Sequence, residues 1–363
     1  MKEQVANKQW GKLFFNILVF VLIAAVVFFA RDDIVDAWYL LGQVNIWILL
    51  LLIPVQFLSY YAGGMVFFSY LKGRNQLKKA QTVEAASLSL ELNFINQVFP
   101  SGGISGMTYM IWRLRKIGVS SGQATMSQII RAICILVVFI GLLAISLLFI
   151  TAADSANNWL VALTSIAVTG IIFLVIFASY LMGEKRRIIS FSKWVSRLSN
   201  KVVRKVTFGR KKQIVTDETT VKFASDIYED FLAIKKHKRL LIKPLIWSLV
   251  FIVSDISLFA VTFLALGVPF SPSVLILAVG AASVIGAVLI TPGGVGGYEA
   301  TMVMVLAAGG MLASDATSGV ILTRVILILV SLLSGYFVYH KAMKKYGKPN
   351  MEKKIAISDA VDE

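Results

Sequence analysis

Cysteine occurs once in the 363 residues, at Cys134, and histidine twice, at His237 and His340. A lone thiol excludes an intrachain disulfide and any cysteine-rich metal site, and two histidines leave little material for imidazole chemistry. Acid is scarce as well, with 20 Asp and Glu against 36 Lys and Arg and a formal net charge of +16. Hydrocarbon fills the chain instead. It is 57% hydrophobic, with mean hydropathy +0.77 and apolar runs longer than any soluble core helix needs. That excludes a soluble fold and makes the chain a polytopic membrane protein.

Six runs can cross a bilayer: Leu13 to Ala30, Ile46 to Leu71, Ile129 to Ala152, Trp159 to Met182, Ile242 to Leu266 and Thr317 to Tyr339. At 1.5 Å rise per residue each covers a hydrocarbon core of about 30 Å. Lipid cannot satisfy open backbone, so the fold class is all-α. The first run has the basic flank of a signal peptide but no clean cleavage site before Arg31-Asp32-Asp33, and reads as a retained anchor.

Charge placement orients these spans. All Lys and Arg except Arg31, Arg131 and Arg324 fall in five segments: the N-terminus to Lys12, Lys72 to Lys79, Arg113 to Lys116, Lys185 to Lys243, and the tail from Lys341. The intervening connections are acidic or uncharged. By the positive-inside rule the basic segments, with both termini, are cytoplasmic, and the expected location is the cell membrane. The basic excess is then topology and attraction to anionic lipid, and no nucleic-acid partner is expected.

This orientation forces a break. Between Lys79 and Arg113 the chain must leave the cytoplasm and return within about thirty residues, and the first arm, Glu84 to Phe99, is only ~24 Å long as helix. Two full crossings do not fit, and a re-entrant hairpin with its tip at FPSGG does. Ser273 to Gly310 repeats the arithmetic from the outer face, with its tip at TPGG. The tips align as GGISGMT (Gly102 to Thr108) and GGVGGYE (Gly293 to Glu299), between spans of opposite sense, the signature of an inverted repeat. The expected architecture is therefore about six full transmembrane helices plus two re-entrant hairpins. The N-terminal membrane half covers 1–182, with its hairpin at about 84–112, and a basic cytoplasmic linker covers 183–241. The C-terminal half covers 242–345, with its hairpin at about 273–310, and a disordered tail covers 346–363. In the linker, Trp194, Val195, Leu198, Val202 and Val206 share one helical face suited to the inner leaflet, and Phe223, Ile227, Phe231 and Ile234 share a second.

A helix broken inside a membrane offers backbone N–H groups at the positive end of its second half, where an anionic head group docks. The expected binding residues are Pro100, Ser101, Gly102, Gly103 and Ser105 at the first tip and Pro292, Gly293, Gly294 and Gly296 at the second. The plainer alternative is that these glycines only turn the chain and pack. Charges at membrane depth are functional candidates by default. Glu84, Ser87 and Glu91 share a face of the first arm, which Asn93, Asn96 and Gln97 keep polar to its end. Asp255 sits mid-span, and Glu299 begins the second return arm. Arg324, inside the last span, requires a carboxylate, either Glu299 or Asp255. Arg131 reads as an interfacial snorkel. Gly103-Ile104-Ser105-Gly106 has the look of a serine intramembrane protease string, but no histidine lies at that depth, so no catalysis is expected. With no P-loop, histidine cluster or cysteine pair, no cofactor and no metal are expected.

The polar first arm ending in NQVFPSGGISG, the basic loop, and TPGGVGGYEA followed by a span carrying Arg324 together resemble the flippase-type membrane domain of the lysylphosphatidylglycerol synthases and their stand-alone relatives. The resemblance covers about residues 8 to 345. Its most specific element is the P-G-G-x-G-x-x-E string of Pro292, Gly293, Gly294, Gly296 and Glu299. It implies movement of an aminoacylated phosphatidylglycerol or related lipid between leaflets. The bifunctional members carry a further aminoacyl-transferase domain, and aminoacyl transfer is not expected of this chain. The expected function is a lipid flippase or transporter, with a phospholipid or polar lipid as substrate. A non-transporting lipid-binding accessory protein for a membrane enzyme, or a transporter of a soluble anion, is the alternative. A lipid-modifying partner enzyme and a homo-oligomer are compatible with either.

Overall fold

Two long antiparallel helices lie along each other at the centre of the molecule. The computed structural model describes residues 44–77, 83–99, 104–152, 180–206, 217–288 and 296–347, with isolated positions within 35–42 and 162–177. Every regular element among the described residues is helical. The expected span at 13–30, most of that at 159–182, both hairpin tips (100–103 and 291–295) and the tail beyond 347 lie outside them.

The first central helix begins with a short turn, α1 (Ile46–Leu49), capped by the Asn45 side chain, which accepts from the backbone N–H of Trp47 and Ile48. After a break at Leu50 and Leu51 it continues as α2 (Leu52–Gly73). Pro54 falls in the first turn of α2, where a missing N–H costs little. Asn75, in the left-handed region at φ 54°, ends this helix, with the Gln76 N–H donating to the Leu71 carbonyl at 3.0 Å.

α3 (Val83–Val98) and α4 (Ile104–Arg115) form the first short pair, and α5 (Ser121–Ala152) follows as a long apolar helix. Two linker helices come next, α6 (Lys185–Val206) and α7 (Asp217–Lys236), then a 3-10 turn at Lys238–Leu241. The second set repeats the order: α8 (Ile242–Leu266), the short α9 (Pro272–Val288) and α10 (Gly297–Ala308), and the long α11 (Ala313–Tyr346). Gly267, at φ 70°, closes α8 with the same left-handed turn that closes α2.

Length sorts the helices. Ile46–Gly73, Ser121–Thr151, Lys238–Leu266 and Ala313–Tyr346 are long and apolar enough to cross a membrane. The arms α3, α4, α9 and α10 have 16, 12, 17 and 12 residues, about 18–26 Å each, short of the ~30 Å core.

The two sets interlock. α2 packs along α8, the first arm α3 packs on α11, and the first arm α9 packs on α5, so each hairpin leans on the last helix of the opposite set. Small residues permit these approaches. A Cβ on Gly335 of α11 would sit 2.7 Å from the Phe94 Cβ, and one on Gly64 of α2 would overlap the Ala85 carbonyl. Ser146 of α5 donates to the Ser273 carbonyl of α9 at 2.6 Å. Outside the bundle, Leu148, Phe149, Leu333 and Phe337 are exposed, the surface a hydrocarbon solvent covers.

The linker helices pack against each other, and α7 docks on the N-terminal set, with Ala224, Ile227 and Ile234 buried and Phe231 half-buried in the same core as Leu71, Leu114 and Met126. On α6, Ile188 is buried, whereas Phe191 and Trp194 stack on each other at 5.8 Å and stay exposed. The side chains of Val195, Leu198, Val202, Val206 and Phe223 lie outside the described set.

Candidate functional site

Each set holds one carboxylate–guanidinium–tyrosine cluster. In the first, Glu91 of α3 is 1% exposed. Its Oε2 accepts from the Tyr109 hydroxyl at 2.8 Å and lies 3.3 Å from Arg113 Nε, both from α4. The Arg113 guanidinium covers the Tyr346 ring at 3.9 Å, and the Tyr346 hydroxyl donates to Glu84 at 3.3 Å. Lys345 lies 3.9 Å from the same Glu84 oxygen. The chain from Glu84 to Tyr109 thus ties the first hairpin to the end of α11.

Sequence reasoning placed Arg113 in the cytoplasmic basic segment Arg113 to Lys116. It is 4% exposed, because its helix turns it inward against Glu91. Tyr109 and Arg113, four residues apart, share one helical face, and that spacing was the available signal. Glu84 sits at the rim beside Lys345, and Asn93 donates to the Ser89 carbonyl at 3.0 Å within its own helix.

In the second cluster, Glu299 stands in the first turn of α10 and turns back on its own helix start. Its Oε2 accepts from the Gly296 N–H at 2.7 Å. Gly296 holds φ 93°, which a side chain would strain. The other oxygen, Oε1, accepts from Arg324 Nε of α11 at 2.7 Å, and the guanidinium lies 4.5 Å from the centre of the Tyr298 ring. Both partners of the pair are about one-sixth exposed, at 17% and 16%. Of the two carboxylates sequence reasoning offered to Arg324, Glu299 makes the direct contact, and Asp255 of α8 lies within electrostatic range of Arg324, Tyr298 and Tyr60. Tyr298 and Tyr60 were not among the expected residues, since aromatic rings at helical spacing look like core.

Several polar groups lie near the middle of the long helices. Asp255 is midway along α8, and Gln56 and Tyr60 lie midway along Ile46–Gly73, with both side chains buried beside Ser331 of α11. α3 runs antiparallel to α11, from Glu84 beside Tyr346 to Phe94 beside Gly335 and Tyr336, and so points its last turn towards Ser331 and Arg324. In that turn the Asn96 Oδ1 and Gln97 Oε1 atoms are buried without a hydrogen-bond partner. Arg131 of α5 also lies inside, its guanidinium 5.8 Å from the Phe251 ring one turn before Asp255 and its Nε without a hydrogen-bond partner.

Ser105 is half-buried in the first turn of α4, next to the tip. Gly106 faces the Asn96 side chain so closely that a Cβ would overlap it, a packing role inside the hairpin. Pro100, Ser101, Gly102, Gly103, Pro292, Gly293 and Gly294 lie outside the described residues.

A chain of long apolar helices around paired short arms, with a Gly296–Glu299 helix start answered by an arginine, matches one family over residues 14–335, the lysylphosphatidylglycerol synthase TM region. The chain belongs to that family. No curated protein and no solved structure matches it. As a member of the lysylphosphatidylglycerol synthase TM family with four crossing-length helices among the described residues, it is a multi-pass membrane protein of a lipid-related family.

Proposed function

We propose that this protein moves a phospholipid or related polar lipid between leaflets, carrying the head group through the mid-depth polar layer while the acyl chains stay in the bilayer. The observation that carries this reading is the layer itself. Asp255, Glu299, Arg324, Tyr60 and the polar end of α3 come from both helix sets and converge at a depth where polar groups are costly. The two short pairs are re-entrant hairpins of an inverted repeat in the cell membrane, with both termini cytoplasmic, and rocking of one set against the other switches access.

The roles divide by charge. Glu91 with Arg113, and Glu299 with Arg324, neutralise each other and brace the hairpins. Arg131, which forms no ion pair among the described residues, meets the lipid phosphate. Asp255 and the unpartnered Asn96 and Gln97 oxygens receive head-group donors such as an ammonium. No bond is made or broken.

The test is a leaflet-resolved assay in proteoliposomes with fluorescent phospholipids. Movement in the parent, reduced about tenfold or more in Arg131→Gln and Asp255→Asn at unchanged expression, is the expected result. If both variants move lipid like the parent, the site assignment fails. If the parent moves none, the transport reading fails.

A further inference from the structure

A polar pocket lies away from the mid-depth layer, at the end of the bundle where α2 finishes and α8 begins. It is an open groove of about 550 Å³, and its polar lining is Ser69, Arg74, Asn75, His237, Arg239 and Lys243, the last three exposed at its mouth. That is within the roughly 300–1,000 Å³ of small-molecule sites. Three permanent cations and a histidine converge there, and among the described residues no carboxylate lines the wall.

The wall comes from three pieces of chain. Ser69, Arg74 and Asn75 belong to the closing turn of α2, with Asn75 held in its left-handed conformation. His237 and Arg239 come from the 3-10 turn, and Lys243 from the first turn of α8. Where the two sides meet they nearly touch, since a Cβ on Gly73 would lie 3.0 Å from the Leu240 side chain. The Ser69 hydroxyl donates to the Val66 carbonyl at 3.1 Å, so its oxygen faces a ligand only as an acceptor.

We infer that this seam pocket binds a phosphate-bearing anion. Guanidinium forks and an ammonium match phosphate oxygens, which accept several charge-assisted hydrogen bonds at once. The volume leaves room for a polar substituent beside the phosphate, whose hydroxyl donates to Ser69. Because the walls belong to both helix sets, the bound anion ties the end of one to the start of the other. The site is separate from the transport path and does not rest on the transport reading.

The test measures thermal unfolding of the full chain in phosphatidylcholine nanodiscs, with phosphatidylglycerol added to the bilayer in one arm and soluble glycerol phosphate in the other. The parent midpoint rises in at least one arm. In Arg239→Gln/Lys243→Gln the apparent affinity falls about tenfold or more, the loss expected for charge-assisted hydrogen bonds. Lys235→Gln/Lys236→Gln removes the same charge from α7 outside the pocket and leaves the affinity nearly unchanged. A response to phosphatidylglycerol alone makes the ligand a lipid head group, and a response to glycerol phosphate makes it a soluble ester. No shift in either arm, or equal weakening in the two double variants, overturns the inference. Should the pocket variant fail to fold, the single Arg239→Gln is measured by the same criterion.

Discussion

Arg324 Nε lies 2.7 Å from Glu299 Oε1, while the other oxygen of that carboxylate takes the Gly296 N–H at the same distance. One side chain thus starts a short helix and anchors a long one. Glu299→Ala takes the 2.7 Å Nε contact from Arg324 and the carboxylate from the Gly296 N–H in a low-dielectric setting. The expected loss is ~3–5 kcal/mol of stability. Glu299→Ala/Arg324→Ala recovers part of it, and thermal unfolding in detergent over the four forms gives the coupling directly.

Arg131 is expected to show the opposite sign. A buried cation without a carboxylate costs stability rather than adding it, so Arg131→Gln holds or raises the unfolding midpoint. The same change lowers movement of an anionic phospholipid about tenfold, the order expected for losing a charged hydrogen bond. A midpoint that falls together with transport makes Arg131 a structural residue.

The first cluster predicts an asymmetric pair of single variants. Arg113→Ala strands Glu91 among buried groups, whereas Glu91→Gln leaves a neutral amide that still accepts from Tyr109. Arg113→Ala is expected to destabilise more, by ~3 kcal/mol or above. Glu91→Gln added to Arg113→Ala restores part of that, as followed by thermal unfolding.

Helix crossings predict where bulk is refused. Gly64→Leu and Gly335→Leu drive a side chain into the Ala85 backbone and the Phe94 side chain, and folded yield in size-exclusion chromatography falls sharply. Gly141→Leu, which meets nothing within 4 Å, behaves like the parent.

The orientation proposed from charge placement predicts sidedness. In a Cys134→Ala background, Ser120→Cys before α5 and Ser314→Cys at the start of α11 both stand exposed. An impermeant maleimide added to intact cells should label Ser314→Cys alone. Labelling of both, or of Ser120→Cys alone, contradicts the orientation.

Much of this fold was legible in one dimension. Hydropathy located Ile46–Gly73, Ser121–Thr151, Lys238–Leu266 and Ala313–Tyr346, because length and apolarity are properties of a run. The cost of a buried cation likewise required a partner for Arg324, and Glu299 supplies it. Azimuth was not legible. Arg113 was grouped with its exposed neighbours because a basic loop and the last turn of a helix read alike, and only packing turns it towards Glu91. The docking of α7 on the N-terminal set was hidden too, since an apolar stripe on an amphipathic helix does not say whether lipid or protein will cover it. Tyr60 and Tyr298 escaped because their role is electrostatic and their appearance is that of ordinary core.

The exchange of supports, α3 on α11 and α9 on α5, makes each half the scaffold of its neighbour. Severed between α6 and α7, neither fragment would retain the groove in which its own hairpin rests. Two separately synthesised pieces should therefore be degraded when alone and should accumulate only as a matched couple. Any swing of one hairpin must likewise be felt by the long helix of the opposite half.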